Sequence, residues 1–141
     1  MSEIVFRYQS EMPASADQLY AWHLRPGAFT RLTPPWERVE LVRSDGLLEA
    51  GSTVTLRVPI GPLWKTWVAE HQEFVPGRQF VDRQKSGPFA AWTHFHRMEP
   101  LDQHRSLLID QRRVAKHCLF PDRHLHQLRQ FAEGPIGQLG V

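Results

Sequence analysis

From Trp36 to Ala115 the chain is cut by turn residues at intervals too short to hold a crossover helix. The breaks fall at Ser44-Asp45-Gly46, Pro59-Ile60-Gly61-Pro62, Pro76-Gly77, Ser86-Gly87-Pro88 and from Pro100 to His104. Between them lie runs rich in Val, Leu, Thr and aromatic residues, the composition of strands. Parallel neighbours need about a dozen residues or more to connect them, so these strands must pair antiparallel, each with the next, in a meander. Six are expected, near 37–43, 52–58, 64–74, 79–84, 90–98 and 105–115.

Ahead of them, residues 3–10 read as a first strand. Ser15 follows Pro13-Ala14 and precedes Gln18 by three positions, a capping-box pattern that predicts a helix to about His23. A second short helix is expected from Pro26, stopped by Pro34-Pro35. After Pro121, Asp122 caps a last predicted helix with Leu125, Leu128, Phe131 and Ala132 on one face, ended by Gly134-Pro135. The segment 134–141 reads as a loose tail, and residues 1–141 as a single domain. The result is an α+β domain whose one long curved sheet of seven strands buries its concave face beneath the last helix, the arrangement that leaves a space for a ligand.

Hydrophobic residues make up 41% of the chain and charged residues 23%, which excludes a disordered chain. The formal charge of +2 is too small to imply nucleic acid as a partner. Cys118 is the only cysteine, which excludes an internal disulfide and a multi-cysteine metal cage. The start Met1-Ser2-Glu3-Ile4 lacks a secretory pattern and no apolar run reaches membrane-span length, so a cytoplasmic location without membrane insertion is expected. Eight histidines and five tryptophans are the unusual part of the composition, because each joins an apolar body to a polar handle.

Two segments carry a resemblance. One runs from Trp22-His23-Leu24-Arg25-Pro26-Gly27-Ala28-Phe29 through Leu32-Thr33-Pro34-Pro35-Trp36; the other runs from Phe80-Val81-Asp82 through Gly87-Pro88-Phe89 to Trp92-Thr93-His94-Phe95-His96. Together they resemble the START-like (SRPBCC, polyketide cyclase/dehydrase-type) domain of the kind found N-terminal to epimerase-like Rossmann proteins. The resemblance implies a helix-grip fold and a cavity for a small hydrophobic molecule or lipid, with no cofactor. It also raises an epimerase-like protein as a partner, although the chain holds no glycine fingerprint for a dinucleotide. The segment from Lys116 to Pro121 departs from the family pattern, which usually has a longer final helix.

Trp92, His94 and His96 alternate along one strand and therefore share a face. On an inward face, two imidazoles and an indole make a polar floor able to hydrogen-bond a ligand or move a proton near neutral pH. The competing reading is that both histidines only fix the sheet. Asp82, on the preceding strand, meets Trp92 or His94 if the register is even and misses them if it is odd. Trp22, His23 and Arg25 fall at the expected rim, where Arg25 or Arg31 suits a carboxylate or phosphate. With Trp67 on the 64–74 strand, the expected ligand-binding set is Trp22, His23, Arg25, Trp67, Trp92, His94 and His96. His94 and Asp82 are the acid/base candidates. His94-x-His96 also has the spacing of two metal ligands, with His71 a third on a nearby strand, but no metal is expected from so common a pair. Arg112, Arg113 and Lys116 read as a solvated basic face, and Cys118 has no motif that makes it a nucleophile.

Three functions follow: a binding domain for a small hydrophobic ligand, a cyclase or dehydratase using imidazole acid/base chemistry, and an accessory domain for an epimerase-like partner.

Overall fold

The computed structural model describes residues 3–25, 38–45 and 49–115. Strand β1 (Glu3–Met12) leads into helix α1 (Ala16–His23), and six strands follow: β2 (Glu40–Ser44), β3 (Thr53–Ile60), β4 (Leu63–Val75), β5 (Gln79–Ser86), β6 (Ala91–Pro100) and β7 (Ser106–Ala115). They form one antiparallel sheet in the order β1-β7-β6-β5-β4-β3-β2. The meander from β2 to β7 is the one that the short connections require. β1 closes on β7 at the far edge, with Glu3 opposite Ala115 and Met12 opposite Ser106.

The capping box forms as its residues dictate. Ser15 Oγ accepts from the Gln18 backbone N–H, and Gln18 Oε1 accepts from the Ser15 N–H, each at 3.1 Å. Helix α1 lays Ala16, Leu19 and Tyr20 on the sheet, where they pack with Met12, Phe80, Met98 and Leu108. A second apolar cluster joins Leu56, Val58, Trp67, Ala69, Phe89, Trp92 and Val114. Register shifts between Leu41 and Arg43 in β2 and at two places in the β4–β5 pairing bend the sheet, as bulges do.

Strand β2 begins only at Glu40, later than the expected 37, and its residues are all exposed at the sheet edge. The second short helix expected from Pro26, the last helix expected after Pro121 and the tail 134–141 lie outside the described residues. The far wall of the expected cavity lies outside them too. No helix among the described residues is long and apolar enough to cross a membrane.

Candidate functional site

The register decides which side chains meet. Asp82 stands directly opposite both His71 on β4 and His94 on β6, and His94 stands opposite Arg112 on β7. One step along, Phe80, His96 and Asp110 form the next row. Alternation puts both rows on the face that α1 covers. A polar band therefore crosses the sheet between the two apolar clusters. Trp92 and Val114 bound it on one side, and Met98 and Leu108 on the other. His71, His94, His96, Asp110 and Arg112 are all buried there.

Two hydrogen-bonded groups make up the band. In the first, Asp82 bridges two imidazoles: His71 Nδ1 bonds its Oδ1, and His96 Nε2 bonds its Oδ2 at 3.0 Å. Burial works against the Asp82 charge, yet the two imidazole hydrogen bonds outweigh it and hold the carboxyl well below the usual carboxylate range. Burial also disfavours charge on His71, but the bond to Asp82 and its charge prevail and raise the imidazole's pKa. In the second group, His94 Nε2 donates to Asp110 Oδ1 at 2.6 Å, and Arg112 Nε lies 3.4 Å from the same oxygen. Burial, reinforced by neighbouring His96, pushes His94 down to about 4, so its ring is neutral at pH 7. Burial opposes the charge of Asp110, but His94 and Arg112 outweigh it and keep the carboxyl ionised.

The aromatic rings run as a continuous stack along the same face. Trp67 meets Trp92 edge to face at 4.8 Å, Trp92 meets His94 at 5.6 Å, and His94 lies 3.8 Å from His96, which stacks on Phe80 at 4.3 Å. Gln84 fastens the β5–β6 turn by bonding both the N–H and the carbonyl of Phe89. Gly87 leaves room for the Trp67 ring and the Gln84 side chain, which any Cβ at that position would strike. From α1, His23 donates Nδ1–H to the Leu19 carbonyl at 2.7 Å and sits 6.2 Å from His96. Burial pushes His23 down to about 4. Its Nε2 is buried and finds no hydrogen-bond partner among the described residues; the same is true of Trp67 Nε1, Trp92 Nε1 and Asp110 Oδ2.

Of the expected site residues, the structure brings His23, Trp67, Trp92, His94 and His96 together with Asp82. Trp22 is half-buried beside His23, at 5.3 Å. Arg25 is exposed beyond the end of α1. The register with His94 is even, but the Asp82 carboxylate bonds His71, opposite it on β4, and His96 rather than His94. Arg112 corrects the expectation of a solvated basic face. Adjacent residues of a strand point opposite ways, so Arg113 is exposed over Phe95 while Arg112 is buried beside Asp110. Sequence reasoning missed Asp110 altogether. Its signal was Asp110-x-Arg112, a second alternating polar pair on the strand that follows His94-x-His96.

A seven-stranded antiparallel sheet with α1 packed on one face has the helix-grip arrangement of the START/SRPBCC class. The family described as polyketide cyclase/dehydrase and lipid transport matches residues 12–120, and the chain belongs to that family. Among solved structures, the chain resembles the Zhui aromatase/cyclase from a Streptomyces species, at 20% identity and a TM-score of 0.70, covering 94% of this chain and 86% of that one. It also resembles a START superfamily protein from Mycobacterium smegmatis, at 18% identity and a TM-score of 0.62, covering 96% and 98%. A nucleoside-diphosphate sugar epimerase from Corynebacterium glutamicum is 26% identical, with a TM-score of 0.65 over 91% of this chain but only 28% of that one. That likeness is to one portion of the epimerase chain and supports no epimerase-like partner here. No curated protein gives a significant match.

Proposed function

We propose that this chain binds a small, largely hydrophobic molecule carrying an oxygen function, held against the inner face of the sheet with its polar end on the band. The observation that carries this reading is that three buried polar atoms there have no hydrogen-bond partner among the described residues: two indole N–H donors, Trp67 Nε1 and Trp92 Nε1, and one acceptor, Asp110 Oδ2. Each buried polar group without a partner costs about 1–3 kcal/mol. A ligand carbonyl accepting from an indole N–H, or a hydroxyl donating to Asp110, recovers that cost. The flanking apolar clusters take the rest of the molecule, and the family's description as polyketide cyclase/dehydrase and lipid transport supports the same use of the fold.

Calorimetric titration with naphthol and with methylnaphthalene, two probes of nearly one shape, tests it. Replacing Trp92 with Phe, or His94 with Ala, is expected to weaken naphthol about fivefold, the scale of one hydrogen bond near 1 kcal/mol, and to leave methylnaphthalene nearly unchanged. Equal losses for both probes in either variant contradict the polar floor.

A second reading, catalysis of the cyclase or dehydratase type, is favoured by the His71–Asp82–His96 chain. A carboxylate bridging two imidazoles fixes their tautomers and supports a proton gained by either one. The acid/base candidates then widen from His94 and Asp82 to His96, since His94 with its pKa near 4 is a weak base. Deuterium exchange beside the carbonyl of tetralone distinguishes the readings. Exchange accelerated by the protein and lost in Asp82→Asn supports catalysis, whereas binding with exchange at the buffer rate supports binding alone.

A further inference from the structure

Asp82, His94 and His96 each present one donor atom, and these three atoms lie within 4.8 Å of one another. We propose that they form a site for one divalent transition-metal ion of the zinc class. His96 Nε2 and Asp82 Oδ2 are 3.0 Å apart, close to the roughly 3.3 Å edge between two ligands bound about 2.0 Å from a tetrahedral zinc. The ion takes the place of the proton that now joins them. Two imidazoles and a carboxylate select borderline transition ions over calcium or magnesium, which take all-oxygen shells.

The surroundings of the three donors are those of a supported metal site. His71 Nδ1 holds the second oxygen of Asp82, and Asp110 holds the His94 ring through Nε2 at 2.6 Å. Partners of this kind orient metal ligands and strengthen them. Phe80 stacks flat on His96 and limits its rotation. A neighbouring cation, Arg112, opposes a metal from 3.5 Å beyond His94 Nε2, but Asp110 shares its charge. Among the described residues Asp82 bonds imidazoles only, so its negative charge is available to an ion. In the sequence, His71 is the visible third ligand for the His94-x-His96 pair. The sheet instead puts Asp82 in that place and His71 behind it. Three protein ligands leave a coordination position open.

The site does not depend on the ligand reading above, because naphthol binding is measured separately on the metal-free chain. The test is titration of the chelator-treated full chain with cobalt(II), followed by its visible absorption, and then displacement by zinc. One cobalt per chain with the intense bands of a four- or five-coordinate ion is expected, bleached by one equivalent of zinc. Asp82→Asn and His96→Gln should weaken binding tenfold or more, and His71→Gln about tenfold. His104→Ala, on the exposed β6–β7 turn, should leave it unchanged. If Asp82→Asn fails to fold, the imidazole NMR signals of the labelled parent decide: zinc shifts those of His94 and His96. Absence of intense cobalt bands, binding that survives Asp82→Asn and His96→Gln, or zinc-insensitive His94 and His96 signals overturns the site.

Discussion

A buried imidazole kept neutral is a liability in acid, and two of them face the band. His94 and His23 both fall from 6.5 to about 4 in the folded chain, chiefly through burial. The unfolded chain therefore takes up a proton on each below pH 6.5, while the folded chain resists until about pH 4. Stability is lost as pH falls through that window, by about 1.4 kcal/mol per pH unit for each group. His71 works the other way: its raised pKa adds stability below 6.5 that is lost as pH rises through the folded value. With two groups against one, urea unfolding of the metal-free protein at a series of pH values should show net loss toward pH 4. His94→Gln should flatten that slope. The depressed carboxyls of Asp82 and Asp110 add a further loss below pH 4, where the unfolded chain protonates them first. Asp82→Asn, which strips both imidazoles of their charged partner, should cost about 3 kcal/mol at pH 7 in the same assay. At this scale parity was readable: Trp92, His94 and His96 share a buried face. What parity could not supply was partner choice, since of the two histidines directly opposite it Asp82 bonds His71 and not His94, and Asp110 lies sixteen residues beyond His94.

The elements that hold these residues owe their bounds to local chemistry, and local chemistry is what a sequence displays. Ser15 and Gln18 predict the start of α1, and both reciprocal bonds form. Ser15→Ala should lower stability by about 1 kcal/mol, read as a shift in denaturation midpoint at unchanged slope. Gly77 turns β4 into β5 at φ +73, a conformation that side chains rarely adopt. Gly77→Ala should cost about 1–2 kcal/mol, because the Asp17 carboxylate that a Cβ would meet is exposed and can move while the backbone cannot. The turn residues thus marked every hairpin from β3 to β7. The two bulges in the β4–β5 pairing, one on each strand, were not legible, because an extra residue in a strand leaves no mark until its partner is known. The pairing of β1 with β7 was hidden for a related reason: the two strands are separated by nearly the whole described chain.

Across the whole molecule, the sheet order sets β1 beside β7 and spreads α1 over β5, β6 and β7, so that a polar band lies between two apolar clusters. Single-sequence reading reached this architecture through connection lengths and a family resemblance, and it located half of the band. The other half came from the β6–β7 register, which aligns two alternating polar pairs. A ligand on this face stabilises the folded state by mass action, so the unfolding midpoint should rise with naphthol concentration, by about 2.7 kcal/mol at one hundred times Kd. The most direct test of the account is NMR of the indole N–H groups in labelled protein as naphthol and then methylnaphthalene are added. The Trp67 and Trp92 indole N–H signals are expected to move downfield with naphthol as they gain an acceptor, and to respond much less to methylnaphthalene. Saturating naphthol binding that leaves both signals in place would contradict it.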